Sequence, residues 1–197
     1  MRQLKKQQKN MKDINFNLLR DKAYEIAKNN GFHDEEVSYK HCLVLVISEL
    51  IEALQALRKG NCLYENIDNY NKKKERIKDS YNDISAFKSN FKDNIKDTFE
   101  DELADTVIRL LDLAGYKGFD VVPECLKTID IRNKSIPEHI FTMISKLSSD
   151  FYLPYRIDYC IKYIFELSEE MGIDILWHID VKMNYNRLRE YKHGKKF

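Results

Sequence analysis

Apolar residues recur along this chain at three- and four-residue steps, the period of a helix buried on one side. Phe16, Leu19, Ala23, Ile26 and Ala27 share one side of a helix that runs to about Asn29. Asp13 is placed to cap it, and Asn30-Gly31 to end it. A denser apolar stretch predicts a second helix from Ser38 to Lys59, stopped by Gly60. A third begins near Thr98 and runs to about Lys117, before Gly118. There Thr98 and Asp101 have capping-box spacing, with Asp in place of Glu or Gln. Pro123 and Pro137 mark breaks, and further helices are predicted at about 137–150, 155–171 and 173–190. Period-two alternation is rare, and only 6 Gly and 3 Pro interrupt 197 residues. The expected fold is all-α, a helical bundle forming a single domain over residues 1–197.

Two segments stand apart. Residues 61–98 are rich in Lys, Asn and Asp with scattered Tyr, Phe and Ile, and read as an inserted basic segment, either a partly helical hairpin or a mobile loop. Residues 122–172 add a helix pair that aligns faintly with the second and third helices. Ile47-Ser-Glu-Leu-Ile-Glu52 sets against Ile144-Ser-Lys-Leu-Ser-Ser149, and residues 102–121 against 156–175. In that alignment Lys146, Ser149, Arg156 and Tyr159 replace four acids, so a duplicated pair would be structural rather than metal-binding. Chance likeness between two amphipathic pairs is the competing reading.

Charge excludes little. There are 33 basic and 32 acidic residues, net +1, so no global field draws nucleic acid. Basic clusters lie at Lys5, Lys6, Lys9 and Lys12, at Lys72-Lys73-Lys74 with Arg76 and Lys78, and at Lys192 to Lys196, and the first two read as solvated faces and tails. Cys42, Cys62, Cys125 and Cys160 have no metal spacing, and Cys42 and Cys160 fall in apolar helical patterns. With no apolar signal segment and no apolar run near ~18 residues, a cytoplasmic protein without a membrane span is expected.

The candidate chemistry lies in Glu49-Leu-Ile-Glu52 and Glu102-Leu-Ala-Asp105. Each puts two carboxylates three residues apart, on one helix face. Val44, Leu45, Ile47, Leu50, Ile51 and Leu54 surround the first pair, and Leu103, Val107, Ile108, Leu110 and Leu111 the second. Helices this apolar are largely buried, and buried acids need partners. No basic residue lies between His41 and Arg58. Two such helices packed together would gather four carboxylates, which a divalent cation can hold together; hard oxygen ligands suit Mg²⁺, Mn²⁺ or Ca²⁺. A di-iron bundle would need a Glu-x-x-His on each of two core helices, and the single one here, Glu190 to His193, falls at the C-terminal basic tail. Magnesium held by carboxylates is a phosphate-handling arrangement.

At these residues the chain resembles the MazG-like all-α nucleoside triphosphate pyrophosphohydrolases, whose pattern is E-x-x-E, a spacer, then E-x-x-D. The likeness extends to Gly31-Phe-His-Asp-Glu35, to Phe99 through Gly115, and to Lys182-Met-Asn-Tyr-Asn-Arg187 followed by Tyr191 to Phe197. It covers about residues 13–60, 98–121 and 173–197. Two departures are the long spacer, residues 53–101, and the extra segment of about fifty residues between the third helix and the last. The resemblance implies hydrolysis of a (deoxy)nucleoside triphosphate to the monophosphate and pyrophosphate, in nucleotide pool sanitation. Glu49, Glu52, Glu102 and Asp105 would hold Mg²⁺, with Mn²⁺ as a substitute, and Glu49 or Glu52 would orient the attacking water.

On the last helix Lys182 and Asn186 share a face, suited to a phosphate oxygen and to sugar or base; Arg189 and Lys195 are further phosphate candidates. For these basic residues a favourable charge near a helix C-terminus is the alternative. His33 and His41 are read as structural or exposed, and Trp177 as core. Two other functions compete: a phosphoribosyl-ATP pyrophosphohydrolase, and a catalytically idle nucleotide-binding helical protein. Nucleic acid and membrane partners are not expected. A bundle of this type needs a second helix pair to cover the first, supplied by another chain or by the degenerate repeat, and a homodimer is the expected state.

Overall fold

The computed structural model describes residues 11–191. Those residues form eight α-helices and no strand: α1 (Phe16–Asn29), α2 (Tyr39–Arg58), α3 (Ile67–Asp79), α4 (Ile84–Asn94), α5 (Phe99–Lys117), α6 (Ile136–Leu147), α7 (Leu153–Met171) and α8 (Ile175–Arg187). The all-α bundle expected from the apolar period is the fold. Among the described residues no helix is long and apolar enough to cross a membrane.

Helix α5 is the axis. The Thr98 side chain caps it by accepting from Asp101 N, and Gly118 closes it in the left-handed conformation. Helices α1, α2, α7 and α8 pack against it, so thirteen of its nineteen residues are buried. Val46, Leu50 and Ala53 of α2 join Leu103, Val107 and Leu111 of α5 in a core continued by Ile157, Ile161 and Ile164 of α7 and by Ile179 and Met183 of α8. Each buried Leu or Ile contributes about 1.5–3 kcal/mol, so this core dominates stability. Gly115 lets α1 come close, since a Cβ there would sit 2.6 Å from Cβ of Tyr24. The cap of α1 differs from expectation. Asp13 lies in a 3-10 turn, Met11–Asp13, and Asn15 instead accepts from Leu18 N.

Residues 61–98 resolve into a hairpin of α3 and α4. Tyr70 and Ile77 of α3 and Phe87 and Phe91 of α4 bury with Val181 and Tyr185 of α8 in a second core. The basic sequence hid this, because four aromatic or aliphatic side chains, seven residues apart on α3 and four apart on α4, suffice to anchor the hairpin. Trp177 is half-buried at the edge of this core, with Lys74 Nζ 4.8 Å from its ring and 2.6 Å from Asp174. Lys74 is therefore a docking contact between α3 and α8 rather than a solvated charge.

Helices α6 and α7 pack on each other, α6 on α2 and α7 on α5. The covering pair thus comes from the same chain. Of the positions aligned with the four acids, Lys146 Nζ sits 4.8 Å from the Tyr159 ring, and Arg156 Nη1 donates to Ser149 O at 2.8 Å. All four cysteines are free; Cys160 is core, while Cys42 is half-buried.

Candidate metal centre

Packing α2 across the N-terminal half of α5 brings Glu49, Glu102 and Asp105 together. One carboxylate oxygen from each lies within 4.8 Å of the others. Glu49 and Glu102 are buried, and Asp105 is half-buried. Glu52, one turn beyond Glu49, lines the same cleft from its exposed side and stands outside that group of three.

Basic residues from other elements compensate these acids, which the α2 sequence alone could not show. Arg109 Nε donates to Glu49 Oε1 at 2.5 Å. Lys182 Nζ lies 2.6 Å from Asp101 Oδ2 and 2.8 Å from Asp105 Oδ2, and is itself buried. Lys182 is also 5.6 Å from the Phe91 ring, so the inserted hairpin helps to place it. Burial pushes the Glu102 carboxyl up to about 9, against the opposing pull of Lys182, and Asp105, Asp101 and Glu49 push the same way. Burial and then Asp105 also raise Glu49. At Asp105 burial acts upward, yet Lys182 and Arg109 outweigh it and hold the carboxyl below its usual range. Two internal cations thus leave the acids incompletely neutralised. Three hard oxygen donors with a residual charge deficit fit a Mg²⁺ or Mn²⁺ ion.

The acids form the floor of a cleft of about 310 Å³. This is the lower end of small-molecule pockets. Lys182, Asn186 and Arg189 line one wall. Asn186 Oδ1 is buried without a hydrogen-bond partner, a polar atom poised for a ligand. Arg189 lies just past the end of α8, 5.9 Å from the Tyr185 ring. The other arm is mostly apolar, with Ala23, Ile26, Ala27, Val37, Leu45 and Ile108. His33 borders it, sandwiched between Tyr24 and Tyr116 with ring centroids 5.0 and 4.7 Å away, and joined through Nε2 to Asp112 at 2.7 Å. At Gly31, between the lining residues Asn30 and Phe32, a φ of +81° and the Tyr191 ring, 2.0 Å from where a Cβ would stand, require glycine.

The cleft therefore gathers Glu49, Glu52, Glu102, Asp105, Lys182, Asn186 and Arg189. Lys195 lies outside the described residues. Sequence reading missed Arg109, Asp101 and Asp112. The signal was present: Asp101, Asp105, Arg109 and Asp112 follow each other at four, four and three residues along one face of α5. His33 and His41 both line the cleft. Comparison of the chain with known protein families, curated proteins and solved structures finds no match.

Proposed function

We propose that the protein is a Mg²⁺-dependent nucleoside triphosphate pyrophosphohydrolase, as the resemblance of its two acidic motifs to the MazG-like enzymes implies. The observation that carries this reading is the convergence of Glu49, Glu102 and Asp105 on one point, with Lys182 beside Asp105 and Asn186 lining the same cleft. When bound there, a divalent cation would supply charge neutralisation for a polyphosphate and acidify a water. Lys182 and Arg189 would hold phosphate oxygens, and buried Asn186 Oδ1 would accept from a sugar hydroxyl or base amine. Glu52, exposed beside the three acids, suits a water-orienting base, since it is the acid least committed to the cluster. The apolar arm would take a nucleobase against Ala23, Ile26, Val37, Leu45 and Ile108.

The test is release of pyrophosphate, as opposed to single phosphate, from a panel of nucleoside triphosphates and phosphoribosyl-ATP, with Mg²⁺ and with EDTA. Asp105→Asn should lower turnover by about a thousandfold, the loss of several kcal/mol of transition-state stabilisation, with the fold intact by circular dichroism. Unfolding of the variant would instead mark Asp105 as structural.

A further inference from the structure

We propose that Arg109 is a built-in competitor of the divalent cation for Glu49, a resident counter-ion that loading of the metal displaces. This rests on the metal reading above and adds a residue that the acidic motifs do not contain. Glu49 is one of the three converging carboxylates, and Arg109 Nε already holds its Oε1 at 2.5 Å. A guanidinium on Glu49 Oε1 draws on the carboxylate charge that a magnesium ion would need at about 2.0–2.1 Å, and the two cations would repel each other across it, so they compete for one carboxylate. The Glu49 side chain is 5% exposed and that of Arg109 27%, which makes the arginine the partner free to move.

Lys182 behaves differently. Its side chain is 5% exposed and tied to Asp101, which is not one of the three acids, as well as to Asp105. It can give up Asp105 and keep a partner. Arg109 has an exit of another kind. It lines the cleft, and Asp112, held by His33, is one turn further along α5. A displaced guanidinium would stay in the cleft, facing the anion that arrives with the metal. The metal-free protein is thereby kept folded with its ligands gathered, since an unpaired buried carboxylate would be costly.

The experiment is Mn²⁺ binding by titration calorimetry, without nucleotide, on the full chain, on Arg109→Gln, on Glu49→Gln and on the double variant. Arg109→Gln should bind Mn²⁺ at least fivefold more tightly than the natural chain. In the Glu49→Gln background the same change should gain less than twofold, because the contested oxygen has lost its charge. Equal or weaker binding by Arg109→Gln overturns the proposal, as does a gain that persists undiminished without Glu49, which would be a general field effect. If Arg109→Gln is unfolded without metal, Mn²⁺ should restore its far-ultraviolet circular dichroism, and a chain that Mn²⁺ cannot restore overturns it. Absence of Mn²⁺ binding in every variant would sink the metal reading as well, whereas binding by the natural chain with no gain in Arg109→Gln sinks only the role of Arg109.

Discussion

Glu100, Asp101 and Glu102 are consecutive acids with three separate partners. Glu102 enters the cleft, and Asp101 turns to Lys182 and to Asp97 N. Glu100 is fully buried, and its Oε1 accepts from Leu63 N and Tyr64 N, both at 2.8 Å, pinning the start of the inserted segment to α5. Glu100→Ala should therefore cost about 2–3 kcal/mol in urea unfolding, since two buried amides lose their acceptor. Glu100→Gln should cost less than about 1 kcal/mol, because an amide oxygen can accept both. Equal losses would show that charge, not acceptance, matters there. His178 gives a pH prediction. It is buried against Tyr70, whose hydroxyl lies 2.8 Å from Nε2, and burial pushes the imidazole down to about 3. The unfolded chain takes up a proton near pH 6.5 and the folded chain does not, so stability is full above about 6.5 and lost as pH falls toward 3. The expected loss at pH 5 is about 2 kcal/mol, and His178→Gln should flatten the slope of stability against pH relative to the natural chain. An unchanged slope would contradict this.

At the scale of elements, the apolar period and its punctuation made α2 and α5 legible nearly to the residue. Ser38 and Thr98 cap them as their spacing implies. The α3–α4 hairpin was not decided by sequence, because its anchoring residues are few among many charges, and period alone does not show what a sparse stripe packs on. The answer is α8, the helix that carries Lys182 and Asn186. Phe91 is fully buried and stacks on Tyr185 with ring centroids 4.2 Å apart. Phe91→Ala should cost about 3–5 kcal/mol, as for a large cavity in a packed core. A change below about 0.5 kcal/mol would show that the hairpin is a loose appendage. The half of the site on α2 and α5 was readable because two residue types repeat at helical spacing. Arg109 was not read as the partner of Glu49, because pairing between helices depends on how they cross.

For the whole molecule, the second helix pair needed to cover α2 and α5 was expected from another chain or from the degenerate repeat, and α6 packs on α2 and α7 on α5 within one chain. The bundle thus combines an acid-bearing pair, a covering pair and an inserted buttress around one cleft. If this cleft directs water to the α-phosphorus of a nucleoside triphosphate, as proposed, the oxygen of that water ends in the nucleoside monophosphate. The most direct measurement is mass spectrometry of the products after reaction in ¹⁸O-labelled water with Mg²⁺. One labelled oxygen is expected in the nucleoside monophosphate and none in pyrophosphate. Label in pyrophosphate or in free phosphate, or no Mg²⁺-dependent products from any triphosphate, would contradict it.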